Sequence, residues 1–181
     1  MCLCFPPYSV GFDITGNAIN GPIPSEIGNA ANLGFFQVSN NLLSGTIPEE
    51  MGYPRFMRVF DVSNNQLTGV LPLSFSNWTD PAVFRVAFNP LSPDDIPAYL
   101  YDMTQLVDLQ LQDAGFNASI SGPGVANWAG MRILNLGLNT LTGPFPAEIV
   151  TLTDLEQFIV IGNSFTGQLP AGISQLDKLS E

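Results

Sequence analysis

The chain has 181 residues, 45% of them hydrophobic and only 12% charged, which is enough apolar content to fold. Sixteen Asp and Glu against five Lys and Arg give a net charge of −11, which argues against nucleic-acid binding and against anionic membrane surfaces. There is no histidine, so the commonest general base is missing and no Ser-His-Asp or Cys-His arrangement exists.

Residues 1–8, MCLCFPPY, hold Cys2 and Cys4 too close together for a relaxed mutual disulfide. Two thiols are too few ligands for a metal site, and no metal or cofactor is expected. The stretch lacks the basic n-region and long apolar core of a signal peptide, and no apolar run reaches the length of a membrane span.

From residue 9 onward the chain repeats. Asn17, Asn41, Asn65 and Asn89 are 24 residues apart; Ala114 takes the next equivalent place, 25 on, followed by Asn139 and Asn163. Apolar residues stand five and three places before each: Phe12/Ile14, Phe36/Val38, Phe60/Val62, Phe84/Val86, Leu109/Leu111, Leu134/Leu136 and Phe158/Val160. Another stands two places after, and most units then add a Gly and an apolar-Pro pair.

Each unit therefore predicts the same elements in order. The apolar-x-apolar step has period two and forms a short strand with both apolar side chains inward. The Asn follows in a bend, where its amide satisfies backbone groups of its own and the adjacent coil. Gly permits the next bend and Pro sets an extended, donor-free return. One coil cannot bury its inner face, but seven stacked coils can. Two coils depart from the pattern. The fourth carries Pro90, Pro93 and an extra residue in SPDDIP, so its outer arc is expected to bulge. The fifth has Ala114 for Asn, no Gly four places on, and ISGPG for apolar-Pro. The amide ladder is expected to break there, and local opening to begin in residues 90–125 or at the ends.

The unit resembles the plant-type leucine-rich repeat, LxxLxLxxNxLxGxIP; residues 33–48, LGFFQVSNNLLSGTIP, match it almost position for position. The resemblance covers residues 9–181. It implies a right-handed solenoid with a parallel sheet on its concave face, a convex face of extended, 3₁₀ or short helical segments, and partner binding on the concave face. Relatives often open with a paired-cysteine cap, so residues 1–8 read as its remnant and the repeat domain as truncated at both ends. It also implies an extracellular or cell-surface, receptor-like or secreted protein.

The outward positions of the strands supply the candidate ligand-binding residues: Asp13, Gln37, Asp61, Arg85, Gln110, Asn135 and Ile159, with Phe88 from the bend after the fourth strand. Arg85 and Phe88 combine a planar donor fork with an apolar face near the middle of the array. Leu138 and Ile161 are further outward apolar side chains. Glu49 and Glu50 lie on an outer arc and are expected to affect mainly solubility. Asn77-Trp78-Thr79 and Asn117-Ala118-Ser119 are glycosylation sequons outside the strands, while Trp78 and Trp128 read as packing residues.

The leading expectation is a non-catalytic recognition module with a protein, peptide or glycan partner. The alternative is an assembly protein that makes end-to-end contacts with other chains or repeats. Inhibition of wall-degrading enzymes and ice binding rank lower, the latter resting on a row of Thr15, Ser39 and Ser63 that Ala87, Gln112 and Ile161 interrupt.

Overall fold

The computed structural model describes residues 10–180; the cap remnant and both cysteines lie outside the described residues. Seven coils each contribute one strand to a parallel sheet. The strands of the chain, in order, are β1 Val10–Asp13, β2 Asn20–Gly21, β3 Leu33–Gln37, β4 Leu42–Thr46, β5 Val59–Asp61, β6 Gln66–Thr68, β7 Val83–Arg85, β8 Asp108–Gln110, β9 Ile133–Asn135, β10 Thr142–Pro144, β11 Gln157–Ile159 and β12 Ser164–Thr166. The main sheet runs β1-β3-β5-β7-β8-β9-β11, every pair parallel. Phe36 pairs with Phe60, Phe60 with Phe84, Phe84 with Leu109 and Leu109 with Leu134, so the sequence period is also the sheet register. Smaller parallel sheets, β2-β4-β6 and β10-β12, line a second side.

The inward column forms an aromatic spine. Phe12 stacks on Phe36, Phe36 on Phe60, and Phe84 leans on Phe60, with ring centroids 5.5–6.0 Å apart. Phe75 and Trp78, from the third outer arc, fill the space beneath, stacked at 4.1 Å. Offset and edge contacts of this kind add to plain area burial. Trp128 is fully buried, stacks on Tyr101 at 4.9 Å and donates its indole N–H to Leu100 O at 2.9 Å. Both tryptophans are thus packing residues.

The asparagines form the ladder. Asn65 Nδ2 donates to Val62 O in its own coil and Val38 O in the preceding one, both at 3.0 Å, while Oδ1 accepts Leu43 N–H at 2.9 Å. Asn41, Asn89, Asn139 and Asn163 repeat the arrangement. Ala114 interrupts it, and the neighbouring groups are satisfied locally. Leu91 N–H turns back to Asn89 O at 2.8 Å, and Asn139 Oδ1 accepts both Ala114 N–H and Phe116 N–H. The fifth coil is also deeply buried through Leu109, Leu111, Phe116, Val125 and Trp128. Packing compensates in part for its lost amide, and amide exchange showing residues 90–125 among the best protected would contradict the expectation that opening begins there or at the ends.

The outer arcs follow from proline. Pro24, Pro48, Pro72 and Pro146 hold extended backbone (φ −56 to −72°) immediately before 3₁₀ segments Ser25–Asn29, Glu49–Gly52, Leu73–Asn77 and Ala147–Thr151. The two irregular coils use α-helical turns instead: α1 Ala98–Asp102 after the SPDDIP arc, and α2 Gly122–Val125, where Ser121 Oγ accepts Gly124 N–H. One position differs in a testable way. Four places after the ladder residue, Gly21, Gly45, Gly69, Gly143 and Gly167 all have left-handed φ of 77–90°; in the fifth coil Ala118 adopts φ 58° there. Left-handed backbone costs an L-residue about 1–2 kcal/mol, part of which a glycine would lose again to unfolded-state entropy. Ala118→Gly is therefore expected to raise stability by about 0.5–1 kcal/mol in urea titration. A lowered midpoint would contradict this account.

The outer arcs also correct the reading of Glu49. Its carboxylate accepts Leu73 N–H at 3.3 Å and Ser74 N–H at 3.1 Å, and its carbonyl accepts Ser74 Oγ–H at 2.5 Å. Glu49 caps the first turn of the next arc and so is structural, not a free solubilising charge.

Candidate functional site

The concave face has four outward columns, one residue from each coil. The first reads Gly11, Phe35, Val59, Val83, Asp108, Ile133 and Gln157, and the second holds the predicted candidates. The third is Thr15, Ser39, Ser63, Ala87, Gln112, Gly137 and Ile161; the fourth is Gly16, Asn40, Asn64, Phe88, Asp113, Leu138 and Gly162.

At the centre, Arg85 lies between two carboxylates. Its Nε donates to Asp108 Oδ2 at 3.1 Å, its Nη2 also bonds Asp108, and its Nη1 lies 3.5 Å from Asp61 Oδ2. The hydrogen bond to Asp108 raises the guanidinium above its usual pKa, against the desolvation of a half-buried site. Asp108 Oδ1 accepts from Gln110 Nε2 at 3.0 Å, and Asp61 Oδ1 accepts Ser63 N–H at 3.0 Å. The structure thus gathers Asp61, Arg85 and Gln110 into one ordered group, with side-chain freedom largely removed before any partner arrives.

The remaining candidates lie apart from this cluster. At one end Asp13 accepts Thr15 N–H, which holds its carboxyl below the ordinary carboxylate range, and Gln37 Nε2 at 3.3 Å. Asn135 donates to Gln112 Oε1 at 2.6 Å and accepts Gly137 N–H. Ile159 is exposed on the last strand. Asp61 and Asn135, read as outward-facing, are only 8% and 9% exposed because Arg85 and Gln112 hold them from the adjacent coils. Phe88 is 39% exposed on the fourth column.

Asp108 is the member of the cluster that the sequence reading passed over. Its signal was an acid in a column otherwise filled by Gly, Phe, Val, Ile and Gln. The Thr15, Ser39, Ser63 row fares worse, since Ser39 and Ser63 are buried and present no array to solvent. Of the sequon asparagines, Asn77 is exposed at the end of its 3₁₀ turn and Asn117 is half-buried. Among the described residues no helix is long and apolar enough to cross a membrane.

A solenoid of seven 24–25-residue coils with a parallel concave sheet and an asparagine ladder defines the class: the chain is a leucine-rich repeat protein of the plant type. The Leucine Rich Repeat family matches residues 56–78. Among solved structures, the chain superposes on the Arabidopsis receptor kinase HAESA, crystallised with the peptide hormone IDA and the co-receptor SERK1, with a TM-score of 0.85 and 34% identity. The Arabidopsis thaliana receptor kinase GASSHO1/SCHENGEN3 ectodomain, in complex with CASPARIAN STRIP INTEGRITY FACTOR 2, gives 0.85 and 33%. A plant ice-binding protein gives 0.75 and 26%. These alignments take in 90%, 93% and 91% of this chain, but only 27%, 20% and 52% of the respective structures. No match was found among curated protein sequences.

Proposed function

We propose that the chain is a non-catalytic recognition module of a receptor-like or secreted extracellular protein, binding a peptide or protein partner through its concave sheet. The observation that carries this is the prearranged Asp61–Arg85–Asp108–Gln110 group at the middle of that sheet, with the exposed Phe88 on the fourth column of the same coil as Arg85. Polar groups fixed before association lower its ordering cost. Solved neighbours that carry peptide ligands support the same reading. An acidic remainder keeps the molecule soluble. Use of Asn77 as a glycan acceptor is consistent with its exposure and with an extracellular location.

The test is panning of a random peptide library against wild type, an Arg85→Ala/Phe88→Ala variant and a Glu26→Gln/Asp102→Asn variant with changes only on exposed outer arcs. Enriched peptides are expected to lose about 1–3 kcal/mol of affinity on the first variant and to be unaffected by the second. Peptides that ignore the concave change and depend on the outer one would sink the proposal.

A second reading has an observation of its own. Three places after the ladder residue stand Asn20, Ser44, Thr68, Ser92, Asn117, Thr142 and Thr166, an unbroken column of small polar side chains on the side carrying β2, β4, β6, β10 and β12. The column gives one small polar side chain per coil, on strands that pair with a two-residue stagger, Ser44 opposite Gln66 and Thr142 opposite Ser164; a repetitive polar surface of this kind suits ice, and a solved neighbour is an ice-binding protein. Measured ice recrystallisation with wild type and Thr68→Lys/Thr142→Lys decides it. No inhibition by wild type removes this reading.

A further inference from the structure

The fourth concave column has an unusual backbone. Asn40, Asn64, Phe88, Asp113 and Leu138 all take left-handed φ between 48 and 56°. Gly and Asn suit that conformation, whereas Phe and Leu are strained in it. Strain of this kind at an exposed position is a reason to look for function. The column stays in register: Phe88 N–H bonds Gln112 O, Asp113 N–H bonds Gly137 O, and Leu138 N–H bonds Ile161 O. Phe88, Asp113 and Leu138 therefore follow one another along the rim, apolar, acidic, apolar.

Asp113 is exposed, and its carboxylate has no partner among the described residues. Leu138, 47% exposed, lays Cδ2 over Gly162, where a Cβ would come within 2.8 Å of it. Ile161, 69% exposed, leans across Gly137. The small residues Gly137 and Gly162 thus leave room for an apolar platform. On the four concave columns the acids are Asp13, Asp61, Asp108 and Asp113, and the one base, Arg85, is held between two of them. The face carries surplus negative charge, and its unneutralised acid in the middle coils is Asp113.

We propose that coils four to six bind an extended basic peptide, with one apolar side chain on Phe88, a second on the Leu138/Ile161 platform, and a Lys or Arg between them on Asp113. The spacing fits. Phe88 and Leu138 are two coils apart, about 9.6 Å, and a polyproline II segment repeats a face every three residues, about 9.3 Å. The ligand motif is then apolar-x-x-apolar with a cation at one intervening position. This proposal rests on the concave-face reading and narrows it.

The probes are three labelled, end-blocked peptides: GPLKPLG, GPLEPLG and GPSKPSG, measured by fluorescence anisotropy. The first is expected to bind at least about tenfold tighter than either other. Asp113→Asn should weaken GPLKPLG about fivefold to tenfold and remove the discrimination against Glu. Phe88→Asn and Leu138→Asn should abolish binding of GPLKPLG while leaving the fold intact or firmer, because Asn tolerates left-handed backbone. Equal binding of the Lys and Glu peptides, discrimination that survives Asp113→Asn, or no binding of GPLKPLG at millimolar concentration each overturns the proposal. Library peptides that depend on Arg85 but not on Asp113 or Leu138 would overturn it while leaving the concave-face reading standing.

Discussion

Replacing Asn65 with Ala is expected to lower the unfolding free energy by about 3–5 kcal/mol, a large part of what a domain of this size possesses. The amide is buried and bonds Val62 O, Val38 O and Leu43 N–H. Alanine leaves a buried N–H and weakens the satisfaction of two carbonyls in adjacent coils, and each orphaned group costs about 1–3 kcal/mol. Asn65→Asp keeps the acceptor but turns a second carboxylate oxygen toward Val62 O and Val38 O, so it is expected to be at least as damaging. Urea unfolding followed by circular dichroism measures both. An Asn65→Ala midpoint indistinguishable from wild type would mean that the ladder does not hold the coils together.

The same ladder explains what was legible in the sequence. Each coil lies directly on the last, so a residue's neighbours across the sheet are those one period away, and aligning the asparagines already gives the register of Phe36 on Phe60 and Phe60 on Phe84. The inward and outward faces follow from the two-residue alternation of a strand. The concave site was legible in part. Arg85, Asp61 and Gln110 stand in one column and were found together. Asp108 stands one column over, and it is joined to them by the arginine side chain reaching one coil onward and by Gln110, two residues along its own strand.

Burial of Asp61 and Asn135 was hidden for the same reason: the covering groups, Arg85 and Gln112, belong to other coils. The left-handed backbone at Phe88 and Leu138 was masked because its usual marker is Gly or Asn, and neither stands at that position in these coils. Glu49 was misread because an acid on a surface arc looks the same in sequence whether it faces water or caps the next coil.

Gly52→Ala is expected to destabilise the protein by about 3 kcal/mol, although the substitution adds only one methyl group to a buried position of an outer arc. A Cβ built on Gly52 would lie 2.3 Å from Ser74 O and 2.4 Å from Ser74 C, both backbone atoms of the next coil. Gly28 stands in the same relation to Glu50 O at 2.5 Å, so adjacent 3₁₀ turns touch backbone to backbone. Ser74 cannot easily give way, since Glu49 holds it through its N–H and its hydroxyl. The methyl group must therefore force coils two and three apart on the convex side, opposite the concave site. Gly130→Ala, where a Cβ meets nothing within 4 Å, is the control and is expected to be neutral or slightly stabilising through unfolded-state entropy. If Gly52→Ala matched Gly130→Ala in urea unfolding, close packing of the outer arcs would not be setting the pitch. If it unfolds more easily as expected, peptide binding to coils four to six should change little in the folded fraction, because the wedge falls between coils two and three. Loss of that binding at full occupancy of the folded state would instead show that the pitch of the convex side is transmitted along the solenoid to the concave face.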